Sequence, residues 1–168
     1  MQKNRQPLPL LSPDKVRAII NDISLLGGLD DVQLETVLAE LRTLSYQKDD
    51  VIFEQDSQPT YIYIVLSGQV KTFSHYKDTT LEMLVLERGQ CFGETSLIGI
   101  QPHSVTAVAQ SDCELLVLSP AALSSLFEKD KTLYGMLVLN IAREASRNLR
   151  DSREHFIEYA MTHQAKTC

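Results

Sequence analysis

A mainly β domain flanked by helices is the fold class that this sequence predicts, and three observations predict it. Six short β-rich runs lie between Val51 and Leu118, helical spacing appears before and after them, and no strand–helix–strand alternation occurs. Many short strands without that alternation point to an antiparallel sandwich or barrel. At 168 residues, 43% hydrophobic and 23% charged, the chain has the size and composition of one globular domain.

The elements follow in order. Residues 1–11, with Pro7 and Pro9, read as a loose arm, and residues 12–168 as a single domain. Ser12-Pro13-Asp14 supplies a serine cap and a proline at the first helical position. Val16, Ile19, Ile20 and Ile23 then recur at helical spacing, which predicts an amphipathic helix ending near Gly27-Gly28. Asp30 caps a second helix whose apolar stripe is Leu34, Val37, Leu38 and Leu41. Helices therefore fill residues 13–42.

From Leu44 the period changes. Val51 to Phe53, Tyr61 to Leu66, Gln69 to His75, Leu81 to Leu86, Ser104 to Ala109 and Glu114 to Leu118 read as strands. Turn residues bound them: Lys48-Asp49-Asp50, Asp56 to Pro59, Ser67-Gly68, Lys77-Asp78, Gly89 and Ser111-Asp112. After Ser119-Pro120 a short helix carries Leu123, Leu126 and Phe127. A long last helix begins near Asp130 to Thr132 and reaches about His163, with Leu133, Leu137, Ile141, Ala145 and Leu149 in one apolar line. Ala142, Leu149 and Phe156 repeat at seven residues, a seam short and polar for a coiled coil.

Several function classes are disfavoured. A net charge of −6 argues against a dominant nucleic-acid surface, and no apolar run approaches the roughly 20 residues that span a bilayer. The first residues lack the apolar core of a signal peptide. Cys91, Cys113 and Cys168 are odd in number and form no motif, so they read as reduced thiols of a cytoplasmic protein. His155 and His163 have no third metal ligand nearby, and no His-x-His pair exists for a metal-dependent barrel enzyme. No Ser/His/Asp or Cys/His motif suggests nucleophilic catalysis. Arg143, Arg147, Arg150 and Arg153 are interspersed with Glu144, Glu154 and Glu158, as on a solvated helix face.

The stretch from Arg88 to Ala109 carries the most chemistry. A β-run ends in a glycine turn and a short helix start, and a proline-led return enters the next strand. Successive amides at such a start attract anions, and Glu94 sits at its edge. Read alone, Glu94 is a carboxylate capping free amides. Phe92-Gly93-Glu94, followed by Ser96-Leu97, Pro102 and Ser104, resembles the phosphate-binding cassette of cyclic-nucleotide-binding domains. Tyr63 to Gly68 is similar to that family's strand-and-turn signature, and the likeness runs from about Leu25 to Leu149. Asp49 and Asp56 stand where the family prefers glycine, and aspartate tolerates the left-handed backbone these turns require.

The resemblance implies an antiparallel β-roll or jelly-roll (double-stranded β-helix) over residues 44–119, with N-terminal helices and C-terminal helices over 120–164. It implies a non-enzymatic sensor or regulatory protein whose ligand-binding residues are Gly93, Glu94, Thr95, Ser96, His103 and Ser104. Glu94 would accept a bond from a ribose hydroxyl, the amides near Thr95 and Ser96 would hold a cyclic phosphate, and Ser104 would add a hydroxyl. His103 occupies the family's arginine position. Arginine offers a permanently charged fork, whereas histidine is shorter and mostly neutral at pH 7. That exchange would weaken phosphate binding by ~100-fold or more. The ligand is then cyclic AMP or cyclic GMP bound weakly, or a different small anion. The alternative is a ligand-free interaction module that regulates a partner protein. A homodimer through the last helix is expected, and so is the absence of a DNA-reading module after it, since the chain stops at Cys168.

Overall fold

The computed structural model describes residues 6–9, 16 and 18–164. The proposed helix start at Ser12-Pro13-Asp14 and the Cys168 thiol lie outside them. Two 3-10 turns, Ile20–Asp22 and Ser24–Leu26, stand where one helix was expected to continue. Ile23 between them is extended (φ −89°, ψ 93°), which interrupts the helical backbone. Helix α1 (Asp31–Glu40) begins as anticipated at Asp30. The Asp30 carboxylate accepts from the Gln33 amide at 2.8 Å, and the Gln33 side chain accepts from the Asp30 amide at 3.2 Å.

Among the described residues nine strands form from short runs: β1 (Leu8–Pro9), β2 (Arg42–Tyr46), β3 (Val51–Phe53), β4 (Ile62–Ser67), β5 (Val70–Tyr76), β6 (Thr79–Leu86), β7 (Cys91–Phe92), β8 (Thr106–Ala109) and β9 (Cys113–Leu118). The remaining helices are α2 (Glu94–Gly99), α3 (Pro120–Lys129) and α4 (Lys131–Gln164). The strands form two antiparallel sheets, ordered β1-β2-β9-β4-β7 and β3-β8-β5-β6.

This corrects the expected jelly-roll. Neither sheet closes, because β1 and β7 end one and β3 and β6 end the other. Helices also contribute more residues than strands among the described residues, so the class is mixed α/β rather than mainly β. The edges explain the open form. Pro9 in β1 has no amide to donate, and β7 stops after two residues because Gly93 turns the chain into α2.

The core has two layers, and β4 and β9 belong to both. Ile62, Ile64, Leu66, Leu116 and Leu118 face Leu34, Leu38, Leu126, Leu133, Leu137 and Ile141 of the helices. Tyr63, Val65, Leu115 and Val117 face the second sheet, against Phe53, Val70 and Ala107. A strand buried on both faces reads as an unbroken apolar run, which is how Tyr61 to Leu66 reads. The apolar line of α4 behaves differently along its length. Leu133, Leu137 and Ile141 are buried, whereas Leu149 is 73% exposed.

Asp49 (φ 68°) and Asp56 (φ 66°) take the left-handed backbone at the turns where it was anticipated. At Gly68 (φ 81°) a Cβ would meet the Asp112 carbonyl oxygen at 2.3 Å. Gly68→Ala is therefore expected to cost at least about 2 kcal/mol in urea unfolding. Unchanged stability would contradict this close approach.

Candidate functional site

The site grows out of one backbone position. β7 delivers Cys91 and Phe92 into the core, and Gly93 (φ 79°, ψ −5°) reverses the chain into α2. A Cβ on Gly93 would lie 3.1 Å from the Tyr61 carbonyl oxygen and from the Tyr63 ring, so only glycine passes here without displacement. The Leu97 amide donates to the Gly93 carbonyl at 3.2 Å and closes the first turn. Among the described residues, the Thr95 and Ser96 amides have no acceptor. Thr95 is exposed, and Ser96 is buried.

Glu94 is turned inward and is 2% exposed. Its Oε1 accepts from Asn148 Nδ2 of α4 at 3.0 Å, and the same nitrogen reaches the Cys91 carbonyl at 3.2 Å. Burial pushes the Glu94 carboxyl above its ordinary range. The nearby Glu144 charge adds to that, while its own backbone amide and Asn148 oppose it. Asn148 is the last of a polar row on the inner face of α4. One turn earlier Glu144 accepts from Ser24 Oγ at 2.6 Å and pairs with Arg147. A further turn back, Asn140 Nδ2 donates to the carbonyls of Leu25 (3.1 Å) and Gly27 (2.9 Å). This row continues the face that buries Leu133, Leu137 and Ile141, so α4 changes from apolar to polar contact as it passes the turn.

His103 lies in the return segment. Its amide donates to the Ser57 carbonyl at 2.9 Å, and its carbonyl accepts from the Asp56 amide at 2.8 Å. The ring is 2% exposed and stacks on Phe53 at 3.7 Å with planes 8° apart. Phe53 in turn neighbours Tyr63 and Phe92, at 5.6 and 5.9 Å, so an aromatic group occupies the space between the sheets beside the turn. Nε2 of His103 has no hydrogen-bond partner. Desolvation lowers the His103 pKa to about 4, and the ring is neutral at pH 7.

The six residues singled out from the sequence thus fall into two groups. Gly93, Glu94, Thr95 and Ser96 form one continuous turn, while His103 packs into the aromatic interior and Ser104 is exposed. Other cations are engaged elsewhere: Arg88 with Asp22 at 2.8 Å, Lys71 over the Phe73 ring at 5.2 Å, Arg147 with Glu144. Cys91 and Cys113 are buried core residues, and burial raises the Cys91 thiol well above its ordinary pKa, so it is not a thiolate. No metal-binding cluster occurs among the described residues, nor any helix long and apolar enough to cross a membrane. Sequence reasoning missed Asn140 and Asn148, and it placed Glu144 on a solvated helix face, whereas Glu144 is buried against Ser24. The spacing of four among the three, in line with the apolar positions, was the available signal.

The His103 environment has a measurable consequence. The unfolded chain takes up a proton near pH 6.5 and the folded ring only near 4. Stability associated with the neutral ring is therefore complete above pH 6.5 and is lost as pH falls through 4. His103→Phe, which keeps the stack, is expected to lose less stability than the wild type between pH 6.5 and 4 in thermal melts. Glu94 is common to both proteins and cancels in the comparison. Parallel pH profiles would show that His103 titrates normally.

Comparison with known proteins places this geometry in a family. The family model for the cyclic nucleotide-binding domain matches residues 43–130, more than half of the chain. The cyclic AMP receptor protein of Thermus thermophilus is 29% identical over 129 residues, which cover 76% of this chain and 58% of that protein. A cAMP-dependent protein kinase regulatory subunit of Candida albicans is 29% identical over 64% of this chain and 23% of its own length. This chain thus spans little more than half of the first relative and a quarter of the second. Among solved structures, the Thermus thermophilus catabolite activator protein superposes with a TM-score of 0.69 at 27% identity, covering 82% of this chain and 63% of that one. A cyclic nucleotide-binding domain from Methylobacillus flagellatus gives 0.78 at 19% identity over 87% and 83%, a likeness of fold. The chain belongs to the cyclic nucleotide-binding domain family, as a regulatory domain homologous to these receptor and kinase regulatory proteins.

Proposed function

We propose that this chain is a non-catalytic regulatory module in which an anionic ligand of the cyclic-nucleotide type competes with Asn148 for the Glu94 carboxylate. The observation that carries this reading is the 3.0 Å bond from Asn148 Nδ2 to Glu94 Oε1. Asn148 supplies a donor of the kind that a ribose hydroxyl would supply. A ligand taking that carboxylate would release the Asn148 amide, and with it the hold of α4 on the turn. Binding energy would thereby favour one placement of the helix over another, as a switch requires.

The residues fit such a ligand only in part. The uncommitted Thr95 and Ser96 amides suit a phosphate, and Glu94 suits a hydroxyl. The charge balance does not suit it, because His103 is neutral and Glu94 is an acid. A charged hydrogen bond contributes about 1.5–3 kcal/mol, so its absence weakens binding by ~10- to 100-fold. Displacing Asn148 costs a further ~1 kcal/mol. The reading is therefore of a weak sensor. The second reading, a ligand-free interaction module, is favoured by the stacked His103 ring, which fills space beside the turn.

Titration calorimetry with cyclic AMP and cyclic GMP separates the two. Wild type is expected to bind in the millimolar range, Asn148→Ala roughly fivefold tighter, and His103→Arg at least ~10-fold tighter. Absence of saturable heat from all three proteins, each still folded by circular dichroism, would leave the interaction module.

A further inference from the structure

Away from the turn, a groove of about 650 Å³ opens between α2, α3 and the start of α4. Its walls include Leu97, Ile98, Ile100, Leu123, Phe127 and Tyr134, and its one carboxylate is Glu128. Ile98 and Phe127 are exposed, and Ile100 is 91% exposed at φ 50°, a left-handed backbone that β-branched residues avoid. The same chain carries a second uncovered apolar surface. Beyond Asn148, α4 exposes Leu149, Phe156 and Ile157 on one helical face, with Arg153 set among them.

The two surfaces cannot meet within one chain. Tyr134 stands in the groove wall on the same helix, and 22 residues separate it from Phe156. At 1.5 Å per residue the stripe, from Leu149 to Ile157, lies about 22–35 Å along the axis from Tyr134 in its own groove. We propose that the occupant of the groove is the distal α4 segment of a second copy of this chain, exchanged reciprocally in a two-fold dimer. The stripe supplies apolar side chains to an apolar groove, and its Arg153 meets Glu128 at the groove. Reciprocal exchange covers both grooves and both stripes and closes the assembly at two. It differs from a dimer in which the two α4 helices pair with each other, because in that arrangement α2 and α3 take no part.

Sedimentation equilibrium on the full chain tests this, with circular dichroism confirming that each variant is folded. Wild type is expected to be a dimer. Ile98→Asp or Phe127→Asp in the groove, and Phe156→Asp in the stripe, are each expected to give monomers. Mixing Phe127→Asp with Phe156→Asp should restore a heterodimer, since one groove and one complementary stripe remain intact. Glu128→Arg and Arg153→Glu should each weaken dimerisation by roughly 10-fold over the two symmetric contacts, and the double variant should recover it. A dimer that survives the groove variants but not Phe156→Asp would assign the interface to helix–helix pairing and overturn the proposal. A monomeric wild type would overturn it as well.

Discussion

One side-chain amide, that of Asn148, ties the long C-terminal helix to the turn at Glu94. It bridges the Cys91 carbonyl and the Glu94 carboxylate, so it holds both ends of the reversal at Gly93. The apolar packing of α4 stops short of this point, after Ile141. Past it, the helix is positioned by directional bonds, from Asn140 to the 3-10 segment, between Glu144 and Ser24, and from Asn148 to the turn. A buried carboxylate left without its donor costs roughly 1–3 kcal/mol, so the row defines the register of α4 more sharply than apolar contact alone would. The helix, the N-terminal segment and the turn are one mechanical unit for that reason.

The second constraint is the aromatic group between the sheets. Phe53, Tyr63 and Phe92 form a surface on which the His103 ring stacks. An imidazole can join such a stack as a neutral ring, and desolvation keeps it neutral. A guanidinium in this place would bring a permanent charge, which needs an anion beside it. Neutral His103 and the buried Glu94 are thus compatible with a folded interior that holds no anion. Membership of a family of regulatory domains is consistent with a non-catalytic role for this arrangement.

Much of this was legible in the sequence where local chemistry decides the outcome. The Asp30 cap, the left-handed aspartates 49 and 56, the serine–proline start at Ser119-Pro120 and the glycine reversal at Gly93 all depend on one or two residues. The two-layer burial of β4 was not read from the sequence, although the unbroken apolar run Tyr61 to Leu66 carries it. What the sequence concealed depends on distant partners. Strand β2 was missed because only Leu44 and Tyr46 of its five residues are large and apolar, too few to mark a strand, and it forms by pairing with β9. Closure was overestimated because the edges are decided by Pro9 and by the two-residue β7. Asn148 lies 54 residues from Glu94, and no local pattern joins them. His103 could be read as a lost cation from the sequence, while its burial against Phe53 required the fold.

The most direct test of the account is a double-mutant cycle between Glu94→Ala and Asn148→Ala, followed by urea unfolding. A bond that holds α4 to the turn predicts a coupling free energy of about 1–3 kcal/mol between the two sites. Additivity within about 0.5 kcal/mol would mean that the helix is held without it, and would contradict the role assigned to Asn148.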